Sequence, residues 1–370
     1  MHARIAGFIA VFQILMFAGH LFLYETWGFL WGGGGGATAS RGLAWGLGIL
    51  SVSFVAASLL AFRFHNPVVR WFYRLAAIWL GVLNFFFFGA IAAWIVYGFA
   101  WAAGWQLNGR WVGGILLGAA AVLSALGVIN ALWTRVRRIR VKLANLPEVW
   151  RGRTAALISD LHLGHVYNLG FIRRIVRTIQ KLEPEIVWIS GDLYDGTAVE
   201  AERVAAPLGE LKAPLGTYFV EGNHEEFSDP TKYLHAIRKA GVQVLDNQKT
   251  EVDGLQILGV PYRHATHAGH FGRVLESLSV DRERASVLLT HAPDQVDVAE
   301  AAGIGLQVSG HTHLGQVVPW TWLARRIYRQ FAYGLQRIGK MLVYTSSGAG
   351  TWGPPLRLGS SPEIVLIEFE

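Results

Sequence analysis

The chain has 370 residues, a formal net charge of +7 and no cysteine. That length holds two domains, each able to bury a core, and the missing cysteine excludes thiolate catalysis, iron–sulfur ligation and structural disulfides. The arginines sit at the edges of apolar segments and in two short clusters, which suits an anionic membrane surface; no nucleic-acid partner is predicted.

Hydrophobicity is concentrated before Thr134. Four apolar runs, Ile5 to Leu30, Leu43 to Phe62, Leu75 to Ala100 and Val112 to Trp133, each reach the ~20 residues that cross ~30 Å of hydrocarbon. Trp27, Trp31, Trp71, Trp101, Trp105, Trp111 and Trp133 stand near their ends, where interfacial anchors belong. A cleaved signal would account for the first run only, and no small-residue cleavage pattern follows it. Residues 1–134 are therefore expected to form a four-helix transmembrane domain. Arg4 precedes the first run, Arg63, Arg70 and Arg74 separate the second from the third, and Arg135, Arg137, Arg138, Arg140 and Lys142 follow the fourth. The intervening loops carry just Arg41 and Arg110. Basic loops face the cytoplasm, so both termini and the second domain are expected there. Glu25, the one acid inside a run, is expected to be interfacial and non-catalytic, and Gly32–Gly36 to be a flexible loop.

Residues 135–153 read as a basic connector, with Pro147 interrupting any helix. The stretch AALISDLH at 155–162 then organises the remainder. A short apolar run ending in Asp160 and His162 predicts a core strand that delivers a carboxylate and an imidazole at its carboxyl end. IVWISGDLYD at 186–195, TYFVEGNHE at 217–225, SVLLTHAP at 286–293 and LQVSGHTH at 306–313 repeat the device. Apolar positions 172, 175, 176, 179 and 182 give a helix between the first two strands, and Glu183-Pro184 ends it. Helices are also predicted over 199–211 and 230–240, strands over 242–245 and 255–260 around Asp253-Gly254, and closing strands over 341–345 and 364–369. The expected fold is an α/β sandwich of two packed mixed sheets flanked by helices, over 154–370.

Asp160, His162, Asp192, Asn223, His291, His311 and His313 end these runs. Carboxylate, amide and imidazole donors suit Mn, Fe or Zn, and seven of them exceed one tetrahedral site but fit two sites sharing a carboxylate. His224, next to Asn223, is placed to meet a substrate. Gly191, Gly222 and Gly310 precede ligands, where the backbone must come close. His165 and Arg263 are expected at the pocket rim, and His264, His267 and His270 as solvated or substrate-edge groups. Within 319–340, Trp320, Leu323, Ile327, Phe331 and Leu335 form a helical stripe, with Arg325, Arg326 and Arg329 off it beside Trp322 and Tyr328. That pattern fits a basic interfacial helix contacting lipid or substrate, and equally a surface helix packed on the sheet.

DLHLG, GDLYDG, GNHE, THAP and GHTHLGQ resemble the five ordered blocks of the calcineurin-like metallophosphoesterases, and YTSSGAGTWGPPLRLGSSPEI at 344–364 is similar to a block of their membrane-associated bacterial branch. The resemblance implies two divalent metal ions. Asp160, His162 and His313 would hold one, Asn223, His291 and His311 the other, and Asp192 would bridge them. A hydroxide between them would attack phosphorus in line, with His224 stabilising charge or protonating the leaving oxygen. Leu314 departs from the family's frequent GHTHGGQ and is expected to narrow the pocket or line it with apolar surface. The expectation is a phosphoesterase of the bacterial inner membrane acting on a phosphate ester or pyrophosphate, with a lipid-linked substrate and membrane lipids as partners. The alternatives are a phosphodiesterase or phosphatase on a soluble nucleotide or other small phosphoester, and a membrane transporter or receptor with a regulatory metal-binding domain.

Overall fold

A computed structural model describes residues 2–31, 37–227 and 229–370, without the side chains of 2–5 and 37–40. The glycine run and the Arg4 side chain lie outside the described residues. The chain divides into two compact units, Met1–Ile129 with Gly353–Leu356, and Asn130–Trp352 with Arg357–Glu370.

The first unit is built on α1 (His2–Trp31), α2 (Ala37–Arg63), α3 (Pro67–Ala102) and α4 (Gly109–Leu132), each long and apolar enough to cross a membrane. Phe8, Ile49, Ile95 and Ile115 are exposed, as lipid-facing side chains are. Several polar groups on these helices are paired. Trp79 Nε1 donates to His20 Nε2 at 2.8 Å while His20 Nδ1 meets the Met16 carbonyl at 2.7 Å, and Trp94 Nε1 donates to Thr26 Oγ1 at 2.9 Å. Such bonds are needed where no water can substitute. The third helix starts ahead of its apolar run. Asn66 accepts from the Val69 N–H at 3.0 Å and Pro67 occupies the first position, so Arg70 and Arg74 lie in its opening turns and not in a loop. Glu25 is exposed on α1.

The second unit runs β1 (Arg135–Val141), β2 (Thr154–Ile158), α5 (Leu169–Gln180), β3 (Ile186–Ser190), α6 (Ala201–Ala205), β4 (Thr217–Val220), α7 (Pro230–Lys239), β5 (Gln243–Val244), β6 (Gln248–Val252), β7 (Leu255–Gly259), α8 (Tyr262–Ala265), α9 (Ala268–Ser277), β8 (Ser286–Leu289), α10 (Val296–Ala301), β9 (Leu306–Ser309), α11 (Trp320–Tyr328), β10 (Gly334–Ile338), β11 (Met341–Thr345) and β12 (Glu363–Phe369). Two mixed sheets result, ordered β1-β12-β2-β3-β4-β5 and β10-β11-β9-β8-β7-β6. Strand alternation sorts the two cores. Ala155 and Leu157 of β2 join Trp188, Val287, Val308 and Ile367 between the sheets, while Ala156 and Ile158 face the helix-covered side with Ile172 and Val176 of α5. In each sheet the central strands run parallel, which brings their carboxyl ends, and the ligand loops, to one edge.

Two expectations are corrected. The basic connector contains a strand: Arg135–Val141 pairs in parallel with β12, its arginines exposed on the sheet edge and Val141 buried. An edge strand carries charge without loss, so its pattern lacks the apolar alternation that marks a strand. The stripe over 319–340 is not one helix, because Arg329 takes φ 51 and ends α11. Leu335 belongs to β10.

Candidate metal centre

Three of the five ligand loops turn sharply as they leave their strands. Asp160, His162, Asp192, His311 and His313 have φ between 48 and 68, the left-handed region that side chains adopt at a cost of ~1–3 kcal/mol when the surroundings enforce it. Tight glycines make the approach possible. A Cβ on Gly222 would fall on the Asp192 carboxylate and backbone nitrogen, and one on Gly310 on Ser159 and Asp160.

Three groups converge closely enough to hold cations: Asp160, His162 and His313; His162, Asp192 and His224; and Asp192, His291 and His311. His162 Nε2 and His313 Nε2 are 3.0 Å apart, and His313 Nε2 is 3.3 Å from Asp160 Oδ1. On the other side His291 Nε2 is 3.1 Å from Asp192 Oδ2 and 3.2 Å from His311 Nδ1. Asp192 also lies 3.9 Å from His162 Nε2 and from His224 Nε2, a central position among the groups. His291 Nδ1 meets the Ser190 carbonyl at 2.7 Å, which leaves Nε2 as the ring atom facing the carboxylates. Asn223 Oδ1 and His162 Nδ1 are buried and have no hydrogen-bond partner among the described residues. An amide oxygen so placed is costly unless something electropositive meets it, so the donor set fits a pair of divalent cations.

The electrostatics agree. Burial acts to lower His291, but Asp192 and Asp160 outweigh it and hold the imidazole up at about 10, so this pocket favours positive charge. Burial raises Asp160 to about 6, against the pull of His291. Asp192 goes the other way: burial acts to raise it, but His291, His224 and His162 together hold it well below the carboxylate range. Burial lowers His162 and His313 strongly and takes His311 down to about 3, leaving their rings neutral with lone pairs to offer.

His224 donates its backbone N–H to Asp192 Oδ1 at 2.9 Å, and its Nδ1 meets the Asp195 carbonyl at 3.0 Å, turning Nε2 toward the site. Its ring lies beside those of Phe227 and Trp352, with centroids 4.4 and 5.9 Å away. Glu225, to which the sequence reading gives no role, is fully buried. It accepts from the N–H groups of Asp192 (3.0 Å), Tyr194 (3.0 Å) and Gly222 (2.8 Å). Burial pushes its carboxyl up, yet three donors face its oxygens, the arrangement an ionised carboxylate satisfies. Its only signal in the sequence is its place as the last letter of GNHE.

The rim residues sort differently. His165 is fully buried with Nδ1 2.9 Å from Thr197 Oγ1, and is not at a rim. Arg263 pairs with the buried Glu221 and, at 3.2 Å, with Asp246, bracing the strand end ahead of Asn223. Leu314 is buried at φ 50, a backbone region that a side chain occupies only where its surroundings enforce it. Trp320, Trp322, Leu323 and Ile327 are exposed on α11, as are Arg325, Arg326 and Arg329 nearby, while Tyr328 packs 6.1 Å from the His311 ring. His264 and His270 stack edge to face at 4.8 Å on α8 and α9, and with His267 form no cation-binding group among the described residues.

The model of the calcineurin-like phosphoesterase family matches residues 154–315. A transmembrane protein with a metallophosphoesterase domain from Danio rerio is 33% identical over 263 residues, 67% of this chain and 60% of its own. An uncharacterized metallophosphoesterase of Campylobacter jejuni is 30% identical over 246 residues, 65% of each chain. One from Aquifex aeolicus is 31% identical over 259 residues, covering 68% of this chain and 97% of its own. The chain thus spans 60% and 65% of the first two relatives' lengths.

Proposed function

From the premise that this chain belongs to the calcineurin-like metallophosphoesterase family, we propose that it is a metal-dependent phosphoesterase of a membrane, and that it hydrolyses a phosphate ester or phosphoanhydride of a lipid-linked substrate at the cytoplasmic face of the bacterial inner membrane. The observation that carries the chemistry is the convergence of donors from five strand ends on one buried pocket, with the Asn223 oxygen otherwise unsatisfied. Asp160, His162 and His313 would hold one divalent ion and Asn223, His291 and His311 the other, with Asp192 shared between them; manganese, iron or zinc suits these donors. Bound there, such ions would supply activation of a water and neutralisation of the phosphate oxygens. Glu225 fixes Asp192 and the Gly222 turn through backbone N–H groups, so the Asp192 carboxylate stays in place as charge moves. His224 presents Nε2 beside Asp192, in reach of a leaving oxygen, where it stabilises charge or delivers a proton.

The lipid part of the reading rests on the four apolar helices and on α11, which exposes Trp322, Leu323 and Ile327 beside arginines. Apolar side chains next to cations suit acyl chains below anionic headgroups. Detergent-purified protein with Mn²⁺ is offered lipid phosphates, lipid pyrophosphates, nucleotide diesters and p-nitrophenyl phosphate. Turnover of a lipid phosphate or pyrophosphate above the soluble compounds is expected. No turnover at all removes the enzymatic reading, and a preference for nucleotides removes the lipid one. A reporter fused after Glu370 that works only outside the cytoplasm overturns the topology.

A further inference from the structure

Within 344–364 stands Arg357, a residue to which the ligand pattern gives no task. It is fully buried, and among the described residues no carboxylate lies within ion-pair distance of it. A buried guanidinium without an acid is costly, so its position calls for a reason. Three of the four hydrogen-bond contacts of its side chain lead to one half of the metal pocket. Nη1 donates to the His313 carbonyl at 3.1 Å and to Ser360 Oγ at 3.1 Å, and Nη2 donates to the Gly350 carbonyl and lies 3.0 Å from His313 Nδ1. His313 and the following Leu314 are held in the left-handed region at φ 48 and 50, a conformation that persists only where neighbours enforce it. Gly350, the second anchor, donates its N–H to the Asp160 carbonyl at 2.8 Å. The planar fork therefore ties the His313 turn directly, and the Asp160 turn through one peptide group.

We infer that Arg357 is the positioning residue of the site formed by Asp160, His162 and His313, setting the separation of ligands that come from opposite sheets. This assignment rests on the two-metal reading above. Fixing a ligand's turn from behind, here through the His313 and Gly350 carbonyls, is expected to be worth about 10–100-fold in metal affinity, and lysine, a point charge without the fork, does not span both anchors.

The test titrates Mn²⁺ into the chelator-stripped, detergent-purified full chain, with metal content and the manganese EPR spectrum as readouts. In Arg357→Gln, one of the two sites is expected to weaken about 10–100-fold while the other stays within about threefold, and the signal of a coupled manganese pair is lost. Arg357→Lys weakens the same site, and circular dichroism shows both variants folded. Native titrations in both variants, equal weakening of both sites, or failure of both variants to fold would each overturn the assignment, the last by making Arg357 a core strut. A native chain that binds two metals but cleaves no phosphoester fails the functional reading and leaves this one intact.

Discussion

Glu225 offers the sharpest test of how the pocket is held. Its two oxygens accept three backbone N–H groups, two of them on the Asp192 and Gly222 turns. Replacing it with glutamine keeps an oxygen for the Asp192 and Gly222 groups but turns an NH₂ toward the Tyr194 N–H, setting donor against donor in a buried space. A lost bond to a charged group, with a donor left unpaired, costs about 2–3 kcal/mol. For a unit of this size 1 kcal/mol shifts Tm by roughly 2–4 °C, so Glu225→Gln should lower Tm by about 5–10 °C. Alanine, which frees all three groups, should lower it further. Because the Asp192 turn loosens, kcat/KM should also fall, by on the order of 100-fold. Thermal unfolding and turnover measured on the same detergent preparation decide the matter. A glutamine variant that melts with the native chain while losing all activity would refute the scaffold role and make Glu225 a proton-transfer group.

Gly222→Ala places a methyl on the Asp192 carboxylate and backbone nitrogen, an overpacking of about 1–3 kcal/mol that should appear as a lower Tm and as loss of one manganese in metal analysis. Arg263→Met should destabilise by about 1–2 kcal/mol, since it strands the buried Glu221, a value discounted because Arg263 is one-third exposed. Its KM should not change, and a KM rise without a Tm change would return Arg263 to substrate contact. Metal affinity should fall as pH falls, because protons and cations compete for the same donors. Between pH 7 and 9 His291, held up at about 10, releases one proton on metal loading, and below about 6 Asp160 adds a second. The slope of log affinity against pH should therefore steepen from about one to about two, and a flat manganese titration between pH 5 and 8 would contradict it.

What the sequence determines by itself is whatever depends on local pattern. Apolar length marks the four long helices, and short apolar runs ending in Asp160, Asp192, Asn223, His291 and the His311–His313 pair mark strands with donors at their carboxyl ends. Parallel pairing then carries those ends to a single edge of the sheets. What only the tertiary structure decides is what each donor leans on. β1 is a strand because β12 lies beside it, although its own residues spell an exposed basic tether. Leu335 leaves the α11 stripe because a left-handed Arg329 interrupts the helix and β11 offers an edge. His165 and Arg263 carry the polarity of a rim, yet Thr197 and Glu221 claim them. Glu225 and Arg357 are invisible to spacing for one shared reason. Their partners are mostly backbone N–H and carbonyl groups, which every residue carries, so nothing in the letters records which of them a buried charge will hold until the chain has folded around it.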